Sequence, residues 1–188
     1  MGRISNKGRN GLILSAICFA ISIFFPWWAI RLIAPQYPEG LYIWVYANKM
    51  EGDVDIINGL NHYIGMAEFS EASFPELSFL AYIIAGIALI TLIIAFIRSR
   101  TLLAAWTGLV IILGAIGVWD IYRWLREFGM NLDPRAAIKV DPFVPPIFGT
   151  NQLANFETFS YFHFGALFGG IAILLLILVL WKGKERHD

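Results

Sequence analysis

His62 and Met66, an imidazole and a thioether four residues apart, are the side chains of this sequence best suited to chemistry. At positions i and i+4 of a helix they would share one face. Soft sulfur favours Cu(I), and imidazole accepts copper in either oxidation state. His163, just before the last apolar run, completes a candidate trio for transient, exchangeable Cu(I). The plainer alternative is that His62 finishes a helix and Met66 packs. Asn61, Tyr63, Asp133 and Tyr161 read as hydrogen-bond partners that fix loops. Arg31 and Asp120 end two apolar runs and form a candidate ion pair across a helix bundle. Their alternative is two interfacial charges reaching for water.

Beyond these residues the chain carries little that reacts. It has no GxSxG, HExxH, P-loop, CxxC or dinucleotide fingerprint, so no catalytic residue is assigned. Cys18 is the lone cysteine and cannot form an internal disulfide; it reads as a small packing residue. His187 lies in a basic tail, away from the other candidates.

What must position the candidates is a set of four apolar runs, Gly11–Ile30, Leu77–Ile97, Leu102–Trp119 and Phe162–Trp181. Each is close to the roughly 20 residues that a helix needs to cross a hydrocarbon core. A bilayer forces backbone groups to pair within the segment, so the runs predict helices. The expectation is an all-α membrane protein in one domain, residues 1–188: a four-transmembrane-helix bundle with spans over about 11–33, 77–97, 102–128 and 158–181. Outer loops at 34–76 and 129–157 would form an ordered extracytoplasmic cap. Pro26 should kink or end the first helix. Gly165 and Gly169 form a GxxxG, and Gly108, Gly114 and Gly117 notch the third span, both suited to close helix packing. Trp27, Trp28, Trp119, Tyr122 and Trp124 suit an outer aromatic belt, and Trp181 an inner one.

Charge orients the spans. Arg3, Lys7, Arg9, Arg98, Arg100, Lys182, Lys184 and Arg186 crowd the two ends and the short middle turn. The stretch 34–76 holds Lys49 alone against seven acids. The positive-inside rule then places both termini in the cytoplasm and both loops outside. A formal net charge of zero argues against a nucleic-acid partner. The lipid bilayer and a membrane or periplasmic protein are the partners expected.

Within the first loop, Leu41–Ala47 reads as an aromatic strand, and Val54–Ile57 reads as a strand able to pair back on it as a small β-hairpin. Asn58 reads as the N-cap of a short helix, Gly59–Met66. In the second loop the third span continues through Phe128, Gly129 stops it, and 131–150 is proline-rich and extended.

The segments Ala34–Leu41 (APQYPEGL), Ile57–Met66 (INGLNHYIGM), Pro75–Leu77 (PEL), Asn131–Pro134 (NLDP) and Pro145–Gly165 (PPIFGTNQLANFETFSYFHFG) together resemble a family of small bacterial four-span proteins. These are NosB-like proteins, encoded beside nitrous-oxide reductase and its copper-maturation genes. The resemblance covers both loops and the order of spans. It implies an accessory role in copper delivery, reductase maturation or docking of an electron donor. Two other readings stand beside it: a non-catalytic anchoring subunit of a respiratory complex, and a quinone- or lipid-interacting membrane protein using a pocket near Arg31, Asp120 or Tyr122.

Overall fold

The computed structural model describes residues 2–153 and 155–182; Lys184, Arg186 and His187 lie outside the described residues. Its elements in chain order are α1 (Asn6–Ser22), β1 (Trp28–Ala34), β2 (Tyr37–Val45), β3 (Met50–Gly52), α2 (Val54–Ile64), α3 (Leu80–Ile97), α4 (Arg100–Met130), β4 (Gly149–Leu153), β5 (Phe156–Phe162) and α5 (Phe164–Lys182). The five strands form one antiparallel sheet in the order β3-β2-β1-β5-β4. The all-α four-helix bundle is therefore the wrong class: this is a helical bundle carrying a β-sheet. The sheet's two central strands come from residues that the apolar runs assign to span ends.

Local chemistry explains why those residues leave the helix. Pro26 has no N–H to give and crowds the preceding turn, and α1 ends at Ser22. The freed carbonyls find partners. Ser22 Oγ donates to Phe19 O at 2.7 Å, and Trp27 Nε1 donates to Ser22 O at 3.0 Å. Trp28-Ala-Ile-Arg-Leu-Ile-Ala34 then alternates, with Trp28, Ile30, Leu32 and Ala34 all in one apolar cluster. β5 pairs with β1 from Trp28↔Phe162 to Ile33↔Glu157, and hands the chain directly to α5.

Three helices are long and apolar enough to cross a membrane: α3, α4 and α5. Large apolar side chains such as Leu89, Ile112 and Leu174 point outward from them, as lipid contact requires. α1, at 17 residues, is shorter than any of the three. It lies between α3 and α5, and α4 leans on α5. Of the third-span glycines, Gly114 faces α5, where a Cβ would lie 3.8 Å from Ile173 Cδ1, whereas a Cβ at Gly108 or Gly117 would meet nothing within 4 Å; contact between α3 and α4 is slight. Trp106 Nε1 to Thr91 Oγ1, at 2.9 Å, is one of the ties between those two helices.

The GxxxG of α5 serves a side chain. A Cβ at Gly165 would fall 2.6 Å from Trp27 Cδ1, and one at Gly169 would fall 2.8 Å from Trp27 Cη2. Trp27 thus fills the notch, and Trp28 is buried in the cap with Nε1 donating to Ile147 O at 2.8 Å, so neither ring joins an aromatic belt. At the opposite end of the bundle the basic segments meet. Ile4 N donates to Arg98 O at 3.0 Å, Arg98 Nε to Ile4 O at 2.7 Å, and Arg100 Nη2 to Leu180 O at 2.9 Å.

Candidate functional site

The covered side of the sheet is built by α2 and the C-terminal end of α4. α2 begins after Asp53, whose backbone and carboxylate both pair with Tyr42 of β2: Asp53 N donates to Tyr42 O at 2.7 Å, and Tyr42 N to Asp53 Oδ2 at 2.9 Å. Val54–Ile57 is therefore the first turn of a helix, and the strand beside β2 is Met50–Gly52. Val54, Ile57 and Leu60 recur at helical spacing and pack with Ile30, Leu32 and Ile43. Asn58 is no N-cap. It lies within α2, where its amide accepts from Phe69 N at 2.8 Å and donates to Phe69 O at 2.7 Å, clamping the following loop as a strand neighbour would.

Gly65 ends α2 in the left-handed conformation, φ 76°. A side chain there would also strike the next loop, since a Cβ would lie 2.7 Å from Asp133 O. That loop is stitched on by Asp133 N donating to Gly65 O at 2.8 Å and Ile138 N to Tyr63 O at 2.9 Å. Between them lies an open cleft of about 790 Å³, lined by His62, Tyr63, Met66, Glu68, Asp133 and Arg135 among others. Arg135 hydrogen-bonds the Asp133 carboxylate with its side chain and backbone N–H, which holds that carboxyl below its ordinary range. The loop-fixing role read for Asp133 is the one the structure assigns it.

The copper trio is not assembled. Helix α2 stops before Met66, so the i, i+4 geometry is lost, although His62 and Met66 still line the same cleft. His163 does not line it. Its ring lies 6.0 Å from Tyr161 and 4.9 Å from Phe164, on the side of the sheet facing away from α2, because residues alternate along β5. Among the described residues no group of three or more His, Cys, Asp or Glu is placed to hold a metal ion. Arg31 and Asp120 do not pair either. Arg31 donates to Glu39 O at 2.9 Å and lies over the Tyr42 ring, while Asp120 accepts from Arg123, which also reaches Glu76 at 2.7 Å. Arg31 is one residue out of phase with Ile30 and Leu32, the β1 residues that pack with Leu125 of α4, so it lies on the other face of the sheet.

The face of the sheet turned away from α2 is the feature the apolar runs concealed. Cross-strand partners share a face, so Ala29, Trp44 and Tyr161 lie together, as do Arg31, Tyr42 and Phe159. Tyr42 and Trp44 stack at 5.5 Å and 8°, and Phe159 and Tyr161 at 5.4 Å. None of these rings belongs to the two buried apolar clusters, and Phe159 is 40% exposed. The polar–aromatic alternation of Thr158-Phe-Ser-Tyr161 is the sequence signal, a short one, that points to this strand. No protein-family model, curated protein or solved structure matches the chain.

Proposed function

We propose that the protein is a membrane-held accessory factor whose cap docks a protein partner outside the cytoplasm. The aromatic sheet face carries this reading: Phe159 is exposed, and Tyr42, Trp44 and Tyr161 are partly exposed beside Arg31, with no helix laid over them among the described residues. Aromatic residues and arginine are the side chains that protein interfaces favour. The face is also rigidly tied to the bundle, since β1 and β5 continue directly from α1 and into α5. With α1 as a fourth span, the clustered Arg3, Arg98, Arg100 and Lys182 orient the opposite end toward the cytoplasm and the cap outward. The resemblance to the NosB-like family narrows the partner to the nitrous-oxide reductase system, in copper supply, maturation or electron delivery.

Affinity purification from gently solubilised membranes, with metal analysis, tests the reading. The expected result is co-purification of a periplasmic copper-reductase or maturation component. The triple variant Tyr42→Ala, Trp44→Ala, Phe159→Ala should lose that component while staying folded. Equal capture by both forms overturns the docking face. Labelling of a cysteine placed at Ser5 by an impermeant reagent on intact cells overturns the orientation.

A second reading, a non-catalytic anchoring subunit, is favoured by α4, where Gly108, Gly117, Leu109 and Ile116 leave an open apolar helix surface. It predicts a constitutive partner that the cap variant still retains.

A further inference from the structure

Beneath the cleft, the covered side of the sheet is not completely filled. A cavity of about 50 Å³ lies between β1, β5, α2 and the end of α4. Ile57, Leu60, Leu125, Phe143 and Phe156 make much of its wall. Asn61 also lines it, on the buried face of α2 at helical spacing from Ile57 and Ile64. Asn61 is only 5% exposed, and its amide nitrogen is buried without an acceptor among the described residues.

A buried amide donor without an acceptor is costly, and buried polar groups in native folds are nearly always paired. A leucine at this position would fill apolar space and remove the cost. Water is a poor occupant, since a trapped water needs two to four polar partners. The wall is mainly apolar: its polar members besides Asn61 are Asn151 and Thr158, and the Thr158 hydroxyl gives its one proton to Asn151 O at 3.2 Å. The environment that fits this wall is a mostly apolar guest with one accepting atom. Met66 lines both this cavity and the open cleft, and its thioether chain is a flexible one.

We infer that the cavity is a binding site for a small uncharged molecule, apolar except for one hydrogen-bond acceptor directed at the Asn61 amide, admitted from the cleft past Met66. The size sets the class: an apolar cavity of about 150 Å³ takes benzene, so this one takes a guest of only a few non-hydrogen atoms. The inference needs only the cap's packing and does not depend on the docking face.

Acetonitrile is a suitable probe, a nitrile acceptor on one methyl group, titrated into the full-length protein in micelles. Labelled Asn61 side-chain amide and the Ile57 and Leu60 methyl groups report binding by NMR. Saturable shifts at these groups are expected, with cross-peaks from the probe's methyl. Asn61→Leu should weaken binding about tenfold, the share of one hydrogen bond. Leu60→Phe, which fills the space without touching the donor, should abolish it, and it carries the test if the first variant does not fold. Shifts that rise linearly without saturating, water cross-peaks at Asn61 that persist throughout the titration, or undiminished binding by folded Leu60→Phe would each overturn the site.

Discussion

Two faces of one sheet, built from the same strands, have opposite fates. Trp28, Ile30 and Leu32 lie beneath α2 and the end of α4. Arg31, one residue out of phase, sits among Tyr42 and Phe159 with no helix against it. Alternation makes both faces from each strand, but covering is a choice of the chain that follows. Asp53 anchors α2 to β2, and Val54, Ile57 and Leu60 then turn onto one side. One face holds the cap together, and the other carries Arg31, Tyr42, Trp44, Phe159 and Tyr161.

The greatest effect should come where both faces are joined to the membrane helices. Gly165 N donates to Pro26 O at 2.7 Å, and His163 N to Trp27 O at 3.0 Å. Gly165→Leu would press a side chain onto Trp27 and the Phe25 and Pro26 carbonyl oxygens. Loss of monodisperse protein on size-exclusion chromatography is expected, and normal yield would show that the junction does not fix the sheet.

The next comparison takes neighbours on β2. Ile43→Ala, on the covered face and 2% exposed, should cost about 2–5 kcal/mol of stability. Tyr42→Ala, on the open face and only partly buried, should cost less than Ile43→Ala, about 1–2 kcal/mol, since it removes one ring stack and part-covered area. Equal losses in chemical denaturation would mean the open face is structural.

Smaller than the loss at Ile43 is that of Asn58→Ala, which deletes both bonds to Phe69 and should cost about 1–3 kcal/mol. Faster hydrogen exchange at the Phe69 amide, with β1 amides unchanged, is the expected signature; a uniform rise across the cap would contradict it.

Least of all is the effect of acid on the cleft. Hydrogen bonding from Arg135 holds the Asp133 carboxyl below its ordinary value of about 3.9. Its contribution is therefore complete above that value and fades as pH falls through the lower folded one. Exchange at Ile138, whose N–H is bonded to Tyr63 O, should be insensitive to this group from neutral pH down to about 5. It should loosen only in stronger acid, and Asp133→Asn should remove that acid step. A step near neutrality would assign the control to another group.

Hydrophobic run length and charge are properties of the sequence, and they delivered what depends on them alone. The helices α3, α4 and α5, the stop near Gly129 and the proline-rich 131–148 connection are legible in that way. Run length could not tell a helix from a strand appended to one, because Trp28–Ile33 and Phe159–Phe162 carry only the charge of Arg31 and run on from apolar helices. Their strand state is decided by pairing with each other across more than a hundred residues, a non-local contact that no window of sequence contains. The same holds for the site. His62 and Met66 share a cleft because Gly65 and Asp133 bring two loops together, and His163 is excluded because the sheet's alternation turns it away. The sequence by itself determined which segments avoid water and which residues carry donors and ligands. Only tertiary structure decided which side of the sheet was covered, and so which of those residues meet.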